Sequence, residues 1–477
     1  GTAAANAVVA GKANINGDNV MAGAFRAAIG ADQSVNVLYQ GDGIGAAQRT
    51  LLAFARSFRL VTNYSTDTIG DGATSATLAI QRAIDALPAE GGCVIFPEAV
   101  GYMIDATVNI YKPVKFMMLG GAGSLKLRTN MVTGDVLNII APGFTMDGFY
   151  FESTVVKTSG AFFYLSQTAT FWHITNFQMR GHYIGFEVDG ASLFTCSNGH
   201  FRNPTTRTQA TGGGHMVIGR NNMTVVSNLD NLTSGKDGST TLADMPSFGI
   251  KLQHIDAVVA HNCDLTVSGK AWWLAPASGQ ICGNFNMTGI CHGDSGEVGI
   301  AVEPAAGGVV VGFTGQTVWG ASNTAQGISF AGAGDIIGFQ IVTPQFVNNS
   351  GDQVSFNNPA QKDIRFGVGI IAGKSSGVAS ATSCVFANTN CDGFSFLGTR
   401  IGPTDNYGAN AFPAFLSAGL TDYAFIDCDM RGNTNPYSDA SLAGDVRGCA
   451  GVVTSNRGIQ EVTSAQTSVV INHGLIK

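Results

Sequence analysis

Charge is scarce in this chain: Asp, Glu, Lys and Arg make up 12% of its 477 residues, about half their share in an ordinary globular domain. The balance is acidic, a formal −7, and Lys and Arg never cluster. Phosphate neutralisation needs a basic patch, so a nucleic-acid partner is excluded. No run of eighteen apolar residues occurs, so no membrane-spanning helix is expected. The opening GTAAANAVVAGKANING lacks a basic stretch followed by an apolar block, and no secretory signal is read there. The nine cysteines (Cys93, Cys196, Cys263, Cys282, Cys291, Cys384, Cys391, Cys428 and Cys449) are odd in number and scattered, with no CxxC pair. They read as small buried apolar residues of a protein assembled in a reducing cytosol, not as disulfides or metal ligands. HExxH, P-loop, GxSxG and EF-hand patterns are absent, so no cofactor or metal is expected.

Glycine, by contrast, is abundant, at 63 residues. A stack of short strands with small residues at its corners has this bias. The segment from Asp71 to Gly123 shows how the stack begins. In GDGATSATLAIQRAIDAL, residues Ala76, Ile80, Ala83, Ile84 and Leu87 recur at helical spacing. The spacing predicts a helix over 75–87, with Thr74 or Ser75 as N-cap and a stop at Pro88 and Gly91-Gly92. Val94, Phe96, Tyr102 and Ile104 then alternate with period two, so the helix is expected to lay its apolar stripe over the open end of a sheet stack.

The combination of GDG at 70–72, AIQRAIDAL at 79–87, GGCVIFP at 91–97 and Tyr102-Met103-Ile104 resembles the entry module of pectate-lyase-like right-handed β-helices, and in particular that of bacteriophage tailspikes. The acidic pair that often follows the GDG in such proteins is replaced here by Thr74, Ser75, Ala76 and Thr77. The resemblance implies an all-β, right-handed parallel β-helix with an N-terminal capping helix, a homotrimer, a place in the virion tail after assembly in the host cytoplasm, and a bacterial surface polysaccharide as partner. On this reading residues 1–44 are an attachment segment to the phage tail and 45–62 a helical neck with Leu51, Leu52, Ala55 and Phe58 on one side. Residues 63–458 form the β-helix, and 459–477 begin a C-terminal trimerisation region that stops in mid-pattern.

The repeat can be counted without the resemblance. Inward-outward-inward triplets begin at Leu137, Phe163, Phe186, Met216, Ile250, Trp272, Ile300, Ile328 and Val354. The intervals are 26, 23, 30, 34, 22, 28, 28 and 26, or about 27 residues per turn, a solenoid period. A second strand per turn shows at 258–265, 280–287, 309–316 and 335–342. The longest intervals hold polar, glycine-rich loops at 204–214 and 234–247, which read as surface excursions walling a groove.

Function then rests on the outward columns. The middle of each triplet gives Asn138, Tyr164, Glu187, Val217, Lys251, Trp273, Ala301, Ser329 and Ser355. Two residues further on stand Ile140, Ser166, Asp189, Gly219, Gln253, Ala275, Glu303, Ala331 and Asn357. Turns about 4.8 Å apart would fuse these columns into one strip, and rings mixed with acids and amides suit a sugar polymer. Trp273 is expected to face outward as a stacking platform and Trp272 inward, a pair that a one-residue slip would swap.

Glu187 and Asp189, two residues apart on one face, lie at roughly 6.5 to 7 Å, the lower edge of the spacing for an inverting glycosidase. The plainer alternative pairs Glu187 with Lys251 and leaves Asp189 solvated. Glu303 is a second catalytic candidate, with Asp294 or Glu297 reaching back from the loop at 291–299, where His292 also lies. Substrate contacts are expected from Trp273, Tyr164, Lys251, Gln253, His254 and Glu297. The leading expectation is depolymerisation by hydrolysis on paired carboxylates. Its rivals are β-elimination on a uronic acid, with Lys251, His254 or Tyr164 as base, and a glycan adhesin that does not cut.

Overall fold

The computed structural model describes residues 38–39, 49–50, 56–119, 125–203, 212–236, 245–373, 380–435, 437–440 and 444–452. Alternating apolar positions in those residues build a parallel β-solenoid. Its first wall is a 13-stranded parallel sheet running from Val108–Ile110 to Ser438–Asp439. All nine triplets fall in register within it: Asn138 pairs with Tyr164, Tyr164 with Glu187, Glu187 with Val217, Val217 with Lys251, Lys251 with Trp273, Trp273 with Ala301, Ala301 with Ser329 and Ser329 with Ser355.

The remainder of each turn forms two further walls, where the sequence suggested one strand. The chain bends sharply at left-handed residues that recur turn after turn: Gly148, Asn176, Asn198, Asn231, Asn262 and Gly289 all have positive φ. Glycine and asparagine tolerate that conformation best. The asparagines also bond to the turn before, as in Asn231 Nδ2 to Asn198 Oδ1 at 2.9 Å and Asn176 Nδ2 to Asp147 Oδ1 at 2.7 Å. Strands before these bends belong to the second wall and strands after them to the third.

Inside, equivalent positions stack. Phe366, Phe396 and Phe425 lie ring on ring at 4.7 and 5.2 Å, and Phe313 on Phe339 at 3.9 Å. All nine cysteines are free, and all but Cys93 and Cys449 are buried.

The early helix spans Thr77–Asp85 and buries Ala76, Ile80, Ala83, Ile84 and Leu87, the stripe read from the sequence. Its start differs. Thr74 and Ser75 end the strand Asp71–Ser75, and Ala76 occupies the N-cap with no side-chain bond. The Ser75 and Thr77 hydroxyls instead donate to Asp105 at 2.7 and 2.6 Å, tying the helix to the next turn. Gly91 after the helix has φ +90°, and a Cβ there would sit 1.8 Å from the Pro113 carbonyl oxygen, so only glycine fits.

Leu51, Leu52 and Ala55 of the helical neck expected over 45–62 lie outside the described residues, and two short strands are described within those bounds. Arg49–Thr50 pairs antiparallel with Leu38–Tyr39, and Phe58–Leu60 is a solenoid strand paired with Cys93–Ile95. Most of 1–44, all of 459–477, and residues 204–211 and 237–244 of the loops at 204–214 and 234–247 lie outside the described residues. No helix among the described residues is long and apolar enough to cross a membrane.

Candidate functional site

Register alone brings Tyr164, Glu187, Lys251 and Trp273 onto the outer face of the first wall. Glu187 is 6% exposed. Arg220, at the corner of the following turn, places Nη1 2.8 Å from its Oε1, so the expected pairing with Lys251 is replaced by one with arginine. Burial pushes the Glu187 carboxyl up to about 7; Arg220 opposes this, while Asp135 and Asp189 add to it. Near neutrality Glu187 is therefore present in both protonation states, as a proton donor must be.

Asp189 is neither solvated nor free. Oδ1 accepts the Asn221 and Asn222 backbone N–H groups at 2.8 and 2.9 Å, and Oδ2 accepts Asn221 Nδ2 at 3.1 Å and the Tyr164 hydroxyl at 3.3 Å. Burial alone would raise its pKa, but these bonds outweigh burial and hold it below the ordinary aspartate value. With both oxygens engaged, Asp189 fixes the corner that carries Arg220 and has no lone pair directed at a water. Burial and the two carboxylates raise the Tyr164 phenol, which keeps its proton.

Trp272 is buried and donates from Nε1 to the His292 carbonyl at 3.0 Å, and Trp273 faces outward. The outward indole is not an open platform. It packs on Phe248 at 5.9 Å, and the Lys251 and Lys270 ammonium groups stand 4.0 and 4.3 Å from its centre. Its Nε1 and Lys270 Nζ both donate to Glu303 Oε2, at 2.8 and 2.5 Å. Glu303 thus belongs to the strip, but four turns from Glu187, about 19 Å along the axis, which is too far for a pair of glycosidase carboxyls.

Lys251 is half-buried and no described carboxylate forms an ion pair with it. Burial, then Arg220 and Lys270, lower its pKa, against a small opposing effect of Glu303. Gln253 and His254 follow at the corner, half-buried, with His254 Nδ1 buried and unpartnered.

Asp294 and Glu297 do not reach Glu303. They precede the strand Val298–Val302 and Glu303 follows it, so the five-residue strand, about 20 Å of extended chain from Glu297 to Glu303, separates them. Glu297 is exposed, and Asp294 faces out from the third wall beside Asp264 and His292. Arg220, Lys270 and Asp135 are the site residues that the two-column reading missed. Lys270 stands three residues before Trp273, an odd offset that strict alternation assigns to the other face, so no outward column marks it although its ammonium reaches the Trp273 ring.

No family model matches the chain, and no curated protein sequence matches it. Among solved structures, a double mutant of the tailspike of Escherichia coli bacteriophage HK620 is similar over 86% of this chain and 73% of its own, at 10% identity and TM-score 0.58. A mutant of the same tailspike in complex with a pentasaccharide matches at 11% identity, the same coverages and TM-score 0.47. The A-module of the Azotobacter vinelandii mannuronan C-5 epimerase AlgE4 matches at 14% identity over 82% of this chain and 100% of its own, TM-score 0.48. The fold is that of the tailspike β-helices.

Proposed function

We propose that the protein is a phage tailspike that binds and depolymerises a bacterial surface polysaccharide along the outer strip of its first wall. The observation that carries this reading is Glu187: a carboxyl of raised pKa, set against Arg220 on a continuous surface of rings, cations and amides. The fold it shares with a tailspike that has been seen with a bound pentasaccharide supports the substrate class. The remaining features belong to the same proposal: a homotrimer in the virion tail, assembled in the host cytoplasm, attached through the N-terminal segment, with the Thr77–Asp85 helix closing the end of the solenoid.

The side chains fit β-elimination better than the hydrolysis expected from paired carboxylates, because Asp189 is fully engaged and Glu303 is distant. In that reaction Arg220 and Lys270 neutralise the uronate carboxylate. The unprotonated Lys251 amine, favoured by its depressed pKa, takes the C5 proton. The C4–C5 double bond forms as the C4–O bond breaks, and the leaving oxygen takes the Glu187 proton, each proton transfer contributing about 10²–10⁴-fold. Digestion of purified capsule and O-antigen polysaccharides tests both levels. Oligosaccharides with the ultraviolet absorbance of an unsaturated uronate are expected. Oligosaccharides without it restore hydrolysis, and binding without cleavage makes the protein an adhesin.

A further inference from the structure

A second strip, equally well registered, runs down the outer face of the third wall. Asp264 pairs with His292, His292 with Trp319, Trp319 with Gln345 and Gln345 with Ile370. Beside this column, two residues further along each strand, Thr266, Asp294, Ala321, Val347 and Ala372 pair in the same order. The last three are small and buried, and Trp319, Ile370 and Tyr407 pack around them. Together they make an apolar patch whose partly exposed members are Trp319, Ile370 and Tyr407, with an acid-histidine group at one end.

Three consecutive rows of this column each hold a buried polar atom without a hydrogen-bond partner: Asp264 Oδ1, His292 Nε2 and Trp319 Nε1. Asp264 Oδ1 lies 3.6 Å from His292 Nδ1, close enough for charge attraction but beyond a hydrogen bond. The buried amides nearby contrast with this. Asn323 and Asn349 satisfy one another, Gln353 and the carbonyls of neighbouring turns at 2.7 to 3.1 Å. Unmet polar atoms are costly to keep, and here they gather beside exposed edges of Asp264 and His292 on a surface, where a ligand can meet them after small side-chain rotations.

We propose that this strip is a second carbohydrate site, for an uncharged, hydroxyl-rich glycan whose rings lie against Trp319 and Tyr407 and whose hydroxyls meet Asp264, His292 and Asp294. Hydroxyls both donate and accept, which is what an aspartate, an imidazole and an indole N–H require together. Two carboxylates around one imidazole disfavour an anionic sugar. The Asp264 carboxylate raises the His292 pKa against the effect of burial, so the ring is available as a cation between the two acids. The first strip differs in carrying Arg220, Lys251 and Lys270 among its carboxyls, whereas the cation next along the second column, Arg400, is paired with Asp429, so the two sites are expected to select different sugars. The described Asp, Glu, His and Cys side chains include no metal-binding group.

The test uses the full chain on a microarray of neutral and acidic bacterial glycans, followed by calorimetric titration with the neutral glycan bound best. Binding of at least one neutral glycan is expected. Trp319→Ala and Tyr407→Ala should weaken it by tenfold or more, Trp319→Phe by less, and Lys251→Met not at all. Near-ultraviolet circular dichroism establishes that each variant is folded, and Trp319→Phe replaces Trp319→Ala if the latter is not. The proposal is overturned if no neutral glycan binds, or if Lys251→Met abolishes the binding. It is also overturned if Ala321→Arg lowers the oligomeric state in sedimentation, which would make the strip a contact between subunits. Neutral-glycan binding without any depolymerisation would leave this site standing and remove only the function proposed for the first.

Discussion

Arg220 Nη1 lies 2.8 Å from Glu187 Oε1, yet the carboxyl beside this cation has a raised pKa. Burial decides the sign. Glu187 is 6% exposed while the Arg220 side chain is 41% exposed, so water weakens the arginine's pull and the carboxylate bears the desolvation. The stability consequence follows by linkage. A carboxyl at about 7 when folded and 4.5 when unfolded is protonated in both states below pH 4.5. Between these values the folded state holds more protons, so stability falls as pH rises and levels off above 7. At about 1.4 kcal/mol per pH unit, the loss across this window is about 3 kcal/mol. Glu187→Gln should flatten this part of the curve of melting temperature against pH, and should lower depolymerase turnover by about 10²–10⁴-fold.

Lys251 separates catalysis from folding. Its ammonium is half-buried with no carboxylate partner, and the Trp273 ring offers only cation–π attraction at 4.0 Å. Methionine keeps the length of the stem and removes the charge. Lys251→Met is expected to leave the melting temperature unchanged or slightly higher and to cut cleavage by at least about 10²-fold. Cleavage that persists in a folded Lys251→Met protein would remove the base from the mechanism.

Asp189 should behave as an anchor. Truncation to alanine leaves the Asn221 and Asn222 backbone N–H groups without their acceptor, at a cost of about 2–5 kcal/mol for the pair. Because its folded pKa lies below 3.8, its contribution is present above that pH and is lost as pH falls through the folded value. Asp189→Ala should therefore lower the melting temperature at pH 7 and narrow the gap to wild type on strong acidification.

The repeat was legible because burial on one face imposes a period of two and the turn length repeats. Nine triplets spaced from 22 to 34 residues could be aligned without knowing what lay between them. The three-walled section was not, since Asn176, Asn198 and Asn231 read as ordinary polar residues until their backbone is seen to be left-handed. In the site, Glu187, Lys251 and Trp273 were legible as column members. Arg220 was not, because it reaches Glu187 from a corner one turn away, and Asp189 was misjudged because its partners are backbone amides 32 and 33 residues downstream. Pairing of this kind depends on three-dimensional closure and leaves no local pattern in the sequence.

The left-handed positions give a pair of predictions of opposite sign. Asn231 has φ +51° and donates to Asn198, so Asn231→Ala loses a hydrogen bond and places a Cβ where the backbone disfavours it. A loss of about 1–2 kcal/mol is expected, most of it recovered in Asn231→Gly. Val226 has φ +46° at another left-handed bend, equivalent in register to Ala257, Asn284, Gly312 and Gly338 in the turns that follow. It is β-branched, the worst type for that conformation, and at 57% exposure its side chain has little packing to lose. Relief of backbone strain therefore outweighs lost burial, and Val226→Asn should stabilise the solenoid by about 1 kcal/mol. Val226→Gly should gain less, because glycine gives back about 0.5–1 kcal/mol in chain entropy. Denaturant midpoints of the four variants check the order, and a destabilised Val226→Asn would show that the valine is held in place by a contact beyond its own turn.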